Sequence, residues 1–366
     1  MTEALYAQVH EALRARIVDG TLAVGDKLPS QAELVEEFAV SAITIKRALD
    51  MLRDEGFVTR RPRIGTVVVS TAPDDDRKAP ANGLPLVGYI VPGFDDAFGS
   101  HLLGGILEAS AHRAHVVVAT SRGDSELEER LIEDQLARGI DGLVLLPSSS
   151  QFIPQAVAAL VGRSFPIVIV DRTLKGVPVS TVTSDNVNGG RIAAEYLFDL
   201  GHTGIALVES PSSVSSLEER RRGVVAAHAA HQVRLEEGQV YSDVRSVVPG
   251  SATTPEDDVD RLVAFLEARP ELTGCVVTEY HSARLVLQAA QRIGRSVPGD
   301  LSIICFDAPP EFVDAATPFT HVEQDQRAIG TRAFELIARQ VEERGDVAQD
   351  TVPVRIVEGG STAPAK

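Results

Sequence analysis

Hydrophobic positions in the first 70 residues recur at helical spacing in three stretches and then at strand spacing. Apolar side chains every three or four residues, followed by a glycine, predict an amphipathic helix over residues 4–19. Ser30 and Glu33 match the capping box, in which each side chain satisfies a free backbone N–H, and they predict a second, short helix. Ser41 predicts the N-cap of a third helix that ends near Gly56.

The segment after the third predicted helix contains two short strand-like runs around an Arg-, Pro- and Gly-containing turn, within residues 57–69. Two short helices joined by a tight turn and followed by a basic hairpin are typical of a winged helix-turn-helix, whose second helix lies in the major groove of DNA. That helix carries Thr44, Lys46 and Arg47 on its outer face. A small helical oligomerisation domain is the alternative, but it does not explain these side chains or the arginine-rich turn.

A different pattern, in which apolar strand-like runs alternate with helical stretches, follows residue 85. The expected strands are Val87–Val91, Val116–Thr120, Leu143–Leu146, Ile167–Asp171, Ile205–Val208, Cys275–Thr278 and Ile303–Asp307. The expected helices lie near 100–113, 125–138, 188–200, 217–230, 258–268, 282–293 and 326–343. Apolar strands separated by helices predict parallel sheets covered on both faces. This region is too long for one small sheet, so we expect an α/β domain of two similar lobes with a cleft between them.

Residues 71–85 separate the two patterns, and their three prolines, one glycine and three consecutive aspartates cannot build a core. We therefore expect a DNA-binding domain over 1–70, a linker over 71–85 and a ligand-binding domain over 86–366. The net charge is −17, but residues 1–70 hold 9 Lys and Arg against 10 Asp and Glu, so the acidic excess lies beyond them. Overall acidity therefore does not exclude a local basic face for DNA.

The composition, 44% hydrophobic and 24% charged residues, is that of a soluble globular protein. No apolar run approaches the roughly 18–20 residues that span a bilayer, and the acidic, amphipathic start does not resemble a signal peptide. We expect a cytoplasmic protein with no membrane partner. Cys275 and Cys305 lie in apolar runs and are expected to be buried free thiols.

Ligands of open parallel sheets bind outside the carboxyl ends of the strands, which directs attention to the residues that follow each expected strand. Arg172 and Asp307 stand there, and a guanidinium or carboxylate can hold ligand hydroxyls. Glu279 stands at the end of another strand, and Phe98 and His101 follow the first one. The alternatives are a surface ion pair for Arg172, helix capping for Asp307, and packing between lobes for Phe98 and His101.

Two families resemble these two regions. The first resembles the GntR-type winged helix, on the motifs Ile17-Val18-Asp19-Gly20, Gly25-Asp26-Lys27-Leu28-Pro29-Ser30, Val40-Ser41, Arg47-Ala48-Leu49, Glu55-Gly56 and Gly65-Thr66. The second resembles the sugar-sensing, periplasmic-binding-protein-like domain of LacI/GalR repressors, on the motifs Asp185-Asn186, Gly201-His202, Arg220 with Gly223, Val297-Pro298-Gly299-Asp300, Phe306-Asp307 and Gln324-Asp325. The combination is similar to the arabinose-repressor architecture.

The resemblance implies a homodimeric repressor that binds a double-stranded DNA operator and responds to a small carbohydrate effector. The implied DNA-contacting residues are Ser30, Gln31, Ser41, Thr44, Lys46, Arg47, Arg60, Arg61, Arg63 and Gly65. The implied effector-binding residues are Phe98, His101, Arg172, Arg220, Glu279, Asp307 and Gln324. The chain departs from the families at Ala32 and Ala42, where arginine is usual, at the wing, and at Glu279-Tyr280, where Asn-Asp is usual.

An enzyme is the first competing interpretation. The sequence has no dinucleotide-binding glycine motif, no P-loop, no H-E-x-x-H and no nucleophile elbow. An aminotransferase-like partner of a GntR head would need a pyridoxal-binding lysine, and the only lysines after the linker are Lys175 and Lys366. We therefore expect no enzyme activity and no cofactor. The alternative kept open is a cytoplasmic sugar-binding module without direct DNA regulation.

Overall fold

Three helices and a hairpin form from the first hydrophobic pattern. In the computed structural model the helices are α1 (Leu5–Val18), α2 (Gln31–Phe38) and α3 (Ala42–Asp54), and the strands are β1 (Val58–Arg61) and β2 (Gly65–Val68). The structure describes residues 5–54, 57–61, 65–69, 71, 83–94, 97–211, 214–307, 319–343 and 347–366. The predicted end of the third helix near Gly56 lies outside these residues, as does most of the predicted 71–85 linker.

The core of this first unit lies where the three helices meet the hairpin. The fully buried side chains include Leu13, Ile17, Ile45 and Leu52 from the predicted apolar helix faces, together with Phe57, which follows α3. β1 and β2 pair antiparallel, so the hairpin packs one side on this core. The division of the chain falls after Gly83, with Met1–Gly83 and Leu84–Lys366 as separate compact units.

The second unit has an α/β pattern, as predicted. Its strands are β3 (Leu86–Val91), β4 (His115–Thr120), β5 (Gly142–Leu145), β6 (Ile167–Val170), β7 (Ser180–Ser184), β8 (Ile205–Val208), β9 (Val240–Tyr241), β10 (Gly274–Val277), β11 (Ser302–Phe306), β12 (Thr320–Gln324), β13 (Gln349–Val352) and β14 (Val354–Val357). Its helices are α4 (Ala97–Ser110), α5 (Ser125–Ala137), α6 (Gln155–Gly162), α7 (Asn186–Asp199), α8 (Ser215–Ala230), α9 (Pro255–Glu267), α10 (Tyr280–Arg292) and α11 (Gln326–Glu342), with a 3₁₀ turn at Glu237–Gln239. All seven expected strands are present, whereas β7, β9, β12, β13, β14 and α6 were not predicted.

Two sheets define two lobes, and within the described residues each sheet has six strands. The first lobe has the order β13-β7-β6-β5-β3-β4, and the second has β14-β12-β11-β10-β8-β9. The strands are parallel except β14, which runs antiparallel to β12. The expectation of two similar parallel lobes is thus confirmed. Cys275 and Cys305 are buried free thiols on adjacent strands, also as predicted.

The described chain crosses between the lobes three times. The crossings lie at Asp185 between β7 and α7, at Asp325 between β12 and α11, and at Pro353 between β13 and β14. Each aspartate caps the helix that follows, because Asp185 accepts a hydrogen bond from the Asn188 amide (3.1 Å) and Asp325 from the Ala328 amide (2.9 Å). As a result α7 packs in the second lobe and α11 returns to the first.

Candidate DNA-binding face and effector cavity

The turn between α2 and α3 is fixed by side-chain hydrogen bonds at both helix starts. The predicted capping box is present, with the Ser30 hydroxyl accepting from the Glu33 amide (3.3 Å) and the Glu33 carboxylate accepting from the Ser30 amide (2.6 Å). The Ser41 hydroxyl accepts from the Thr44 amide (3.2 Å), and Gln31 donates to the Ala42 carbonyl (2.9 Å). The bond from Gln31 joins the starts of the two helices, and the other bonds cap them.

The outer face of α3 carries the predicted polar side chains. Lys46 and Arg47 are exposed and Thr44 is half-buried, since Ile45 and Ala48 turn inward. The Arg47 guanidinium lies over the Tyr6 ring, 4.1 Å from its centroid. Stacking through the flat face of the guanidinium leaves its in-plane N–H groups available to a phosphate or a base.

The sequence analysis did not single out Ile43, the most exposed large apolar side chain of α3. It is 80% exposed and lies three and four residues before Lys46 and Arg47, on the same face of the helix. The sequence already indicated that Ile43 is exposed, because this residue does not lie at the helical spacing of the apolar positions that form the inner face of α3.

The wing places Arg60 opposite Thr66 and Arg61 opposite Gly65 in the β1–β2 hairpin. Arg63 lies outside the described residues. Gly65 has a positive φ of 112°, and a Cβ there would lie 2.9 Å from Cε of Lys27. The exposed Lys27 therefore stands against the wing and adds a positive charge that the sequence analysis missed.

A cavity of about 1140 Å³ opens at the carboxyl ends of strands from both lobes. The predicted effector residues that line it are Phe98, Arg172, Arg220, Glu279, Asp307 and Gln324. The rule that ligands bind at the carboxyl ends of strands thus identified side chains that are distant in sequence but line one cavity. Side chains that were not among the predicted effector-binding residues also line the cavity, among them Arg122, Tyr280, His281, Arg284 and Gln288.

Arg220 is the most deeply buried arginine of this cavity, with 5% of its surface exposed. It lies in α8, where Nε donates to Oδ1 of Asn186 (3.0 Å) and Nη1 donates to the Thr278 carbonyl (2.6 Å). The guanidinium also stacks on Phe306, 4.2 Å from the ring centroid. These contacts fix the fork, so its remaining N–H donors are held in place for a ligand.

Asp307 follows β11 with a positive φ of 72°, a strained backbone for a residue that is not glycine. Its Oδ1 accepts hydrogen bonds from the side-chain amides of Gln324 (2.6 Å) and Gln326 (3.0 Å). Both bonds end on one oxygen, so the other stays available within the described part of the chain. The side-chain oxygen of Gln324, Oε1, is buried and has no hydrogen-bond partner among the described residues.

His101 does not line the cavity, although it was predicted to bind the effector. It lies on α4, and its Nδ1 is 3.0 Å from Oε1 of Gln326. Gln326 in turn donates to Asp307, so His101 supports the carboxylate from behind. The spacing after the first strand could not show whether His101 lines the cavity or supports Asp307 from behind. Its partner Gln326 comes close to His101 only because the chain returns to the first lobe at Asp325.

Arg172 and Glu279 are held by local contacts at the cavity wall. Arg172 donates to the Pro147 carbonyl, and its Nε lies 3.8 Å from the carboxylate of Asp171, which has a φ of 63°. Glu279 precedes α10 and accepts a hydrogen bond from the Ser282 hydroxyl (2.6 Å). Each lobe therefore contributes to the cavity a charged side chain from a residue that follows the end of a strand.

The two lobes touch beside the cavity. The Thr173 amide donates to the Ser215 hydroxyl (2.8 Å), and the Ser215 amide donates to the Ser150 hydroxyl (2.9 Å). Gly123 of the first lobe lies so close to Pro249 of the second that a Cβ there would be 2.5 Å from the proline ring. The cavity is thus bounded on both sides by contacts that depend on the relative position of the lobes.

Comparison with known families gives a match in each of the two units of the chain. Residues 5–68 match the gntR family of bacterial regulatory proteins, and residues 194–362 match the periplasmic binding protein-like domain. Together with the fold and the cavity, these matches define a transcription regulator in which a GntR-type helix-turn-helix domain precedes a periplasmic-binding-protein-like domain. The family resemblance and the fold class predicted from the sequence are confirmed.

Particular relatives match this chain over different lengths. The arabinose metabolism transcriptional repressor of Geobacillus stearothermophilus is 24% identical over 347 residues, 93% of this chain and 92% of the relative. The ribose operon repressor of Halalkalibacterium halodurans is 26% identical over 276 residues, 74% of this chain and 78% of the relative. A solved structure of the transcriptional regulator CelR with cellobiose has a TM-score of 0.67 at 21% identity and covers 98% of this chain and 100% of its own. No helix in the described part of the chain is long and apolar enough to cross a membrane.

Proposed function

We propose that this protein represses transcription by binding operator DNA through α3 and the wing, and that a carbohydrate in the cavity releases it. The observation that carries the proposal is the cavity at the strand ends, which fixed guanidinium groups line together with the Asp307 carboxylate. Hydroxyl groups both donate and accept hydrogen bonds, so a polyol satisfies this mixed set. The unpartnered Gln324 oxygen would accept one of those hydroxyls. The named relatives include repressors of sugar metabolism, which supports the same ligand class.

The proposed DNA face consists of Ser30, Gln31, Ser41, Thr44, Lys46, Arg47, the wing from Arg60 to Gly65, and the added Ile43 and Lys27. Lysine and arginine would contact phosphates and thereby fix the orientation of the head, whereas α3 would read bases in the major groove. The protein would act in the cytoplasm as a homodimer, because a two-fold pair of heads matches a palindromic operator. The proposed domain boundaries are 1–70, 71–85 and 86–366.

The hydrogen bonds at the crossings supply a route from ligand to lobe movement. Arg220 bonds to Asn186, the first residue of α7, and Asp307 bonds to Gln326, the first residue of α11. A ligand that contacts Arg220 and Asp307 therefore acts on the groups that hold two of the crossings. Its effect on DNA affinity cannot exceed its differential affinity for the two lobe positions, and such couplings are about 1–3 kcal/mol in allosteric proteins.

Replacing Asp307 with alanine tests the proposed effector site. The variant loses the carboxylate oxygen of Asp307 that is available to a ligand, so we expect its DNA complex to resist a carbohydrate that releases the wild type, while its DNA affinity in the absence of carbohydrate is unchanged. Fluorescence anisotropy with labelled operator DNA measures both quantities. Asp134→Ala, on the exposed face of α5, is the matched control and responds normally. A normal response by Asp307→Ala would show that the effector binds elsewhere.

A further inference from the structure

We propose that the effector is an anionic carbohydrate longer than one sugar ring, with its carboxylate or phosphate held by Arg122 and Arg284. This inference rests on the proposed function of the same cavity and adds the charge and length of its ligand. The cavity wall holds four arginines, Arg122, Arg172, Arg220 and Arg284, against three carboxylates, Asp171, Glu279 and Asp307. This excess of positive charge occurs in a chain whose net charge is −17.

The two pairs of arginines differ in their contacts. Arg172 and Arg220 are tied to backbone carbonyls and to side chains of the fold. For Arg122 and Arg284, the described residues supply neither a hydrogen bond nor an ion pair, and both side chains are exposed to the cavity opening. A guanidinium without a protein partner at a binding cavity is suited to a carboxylate or phosphate, whose paired oxygens match its fork.

These two arginines come from different lobes. Arg122 follows β4 of the first lobe with a positive φ of 55°, next to the Gly123–Pro249 contact. Arg284 lies on α10 of the second lobe. An anion held by both would join the lobes on the outer side of the cavity, whereas Asp307 and Arg220 act at the strand ends.

The shape of the cavity indicates the length of the ligand. His281, Arg284, Leu285 and Gln288 form one face of α10 and all line it, so the cavity follows this helix for seven residues, about 10 Å at 1.5 Å per residue. Its volume of about 1140 Å³ lies above the ~300–1,000 Å³ usual for sites of drug-sized ligands. One ring therefore leaves part of the cavity unfilled, and we expect a disaccharide with an acidic group at one end to occupy both the strand ends and the face of α10 that carries Arg284.

Calorimetric titration of the full-length protein with matched neutral and anionic sugars tests the inference. The probes are maltose with maltobionate, trehalose with trehalose 6-phosphate, and glucose with gluconate and glucose 6-phosphate. We expect an anionic disaccharide to bind about 10-fold more tightly than its neutral counterpart at low salt, and more tightly than any of the single-ring probes. The maltobionate and trehalose 6-phosphate arms show whether carboxylate or phosphate is preferred.

The variant Arg122→Gln/Arg284→Gln keeps polar side chains but removes both charges, and we expect the preference for the anionic sugar to fall to about 1-fold. Arg130→Gln, on the outer surface of α5, is the matched control and keeps the preference. Equal affinity for the neutral and anionic disaccharides, or a preference that survives in the double variant, would overturn the inference and leave the proposed function intact. If no probe of either kind binds, both the inference and the proposed carbohydrate site are contradicted.

Discussion

The exposure of each side chain of α3 distinguishes the residues that stabilise the fold from those that are available to contact DNA. Ile45, Ala48 and Leu52 are fully buried, whereas Ile43 is 80% exposed. An exposed isoleucine contributes little to stability, but in the major groove it can contact the methyl group of thymine. Since Ala42 precedes it, the start of this helix offers apolar contacts.

Replacing Ile43 with alanine is therefore expected to weaken operator binding by about 1 kcal/mol, roughly fivefold, without changing the melting temperature. The salt dependence of binding should stay the same, because no phosphate contact is lost. Anisotropy titrations at several salt concentrations measure both effects. Ile45→Ala, at a buried position of the same helix, should instead lower the melting temperature of the head. Unchanged operator affinity of Ile43→Ala would remove this side chain from the DNA interface.

His202 is a histidine with a structural role. Its Nδ1 lies 2.9 Å from the Thr273 hydroxyl and its Nε2 lies 3.0 Å from the Ala363 carbonyl, so it ties the end of the chain to the second lobe. Burial lowers the pKa of this imidazole below its usual value, and the hydrogen bond to Ala363 opposes the shift only in part.

The lowered pKa of His202 predicts a loss of stability in acid. As the pH falls below about 6.5, the unfolded chain takes up a proton on this histidine and the folded chain resists it, so the free energy of unfolding decreases. Burial lowers the pKa of His228 in the same direction. Denaturant unfolding at about pH 7.5 and about pH 5.5 should therefore show a smaller difference for His202→Asn than for the wild type. An equal pH dependence in both proteins would contradict the account.

The residues of the site that the sequence could predict are those that directly follow apolar strands. Arg172, Glu279 and Asp307 line the cavity because the carboxyl ends of parallel strands meet at one edge. Arg122 was missed because it stands two residues beyond the end of β4 rather than directly after the predicted strand, and Arg284 because it lies on a helix face, where charged side chains are usually solvated. His101 was placed too close to the ligand because its partner, Gln326, is 225 residues away in sequence.

At the level of elements, glycines set how closely the helices of each lobe pack. A Cβ on Gly190 of α7 would lie 1.9 Å from the Arg220 carbonyl oxygen of α8, and one on Gly330 of α11 would lie 2.1 Å from the Leu102 carbonyl oxygen of α4. Both glycines follow a crossing aspartate by five residues. The two lobes thus repeat one packing device beside each crossing.

Gly190→Ala is expected to destabilise the second unit by about 3 kcal/mol, because backbone rather than a flexible side chain occupies the space. Thermal and denaturant unfolding measure the change. Gly162→Ala is the matched control, since Gly162 is also helical and no atom lies within 4 Å of its added Cβ. There we expect a gain of about 0.5–1 kcal/mol from helix propensity. Equal effects of the two substitutions would show that close packing at Gly190 is not limiting.

The elements missed by sequence analysis are those whose polar residues are buried or whose apolar runs are very short. β7 reads Ser-Thr-Val-Thr-Ser, yet every residue in it is buried. Ser180 at its start accepts hydrogen bonds from Gln340 (2.7 Å) and the Ala348 amide (3.1 Å), which are about 160 residues distant in sequence. Local periodicity cannot anticipate such partners, whereas the long apolar strands needed none.

At the level of the whole molecule, the proposed function links two units that the sequence and the structure both separate. The head offers an exposed helix face with Ile43, Lys46 and Arg47, and the second unit offers a cavity bounded by both lobes. A carbohydrate that favours one lobe position would change DNA affinity only as far as the two units are coupled. Operator binding and effector response are therefore measured in the same experiment.

The most direct test is the binding of full-length protein to labelled fragments that tile the DNA upstream of its own gene, followed by titration of each complex with the carbohydrate panel. The account predicts one fragment bound specifically, weaker binding with a smaller salt slope in Arg47→Ala, and release of the wild-type complex by a carbohydrate. Arg53→Ala, in the last turn of the same helix, is the control for charge. Failure to bind any upstream fragment, or a complex that no carbohydrate of the panel affects, would contradict the account.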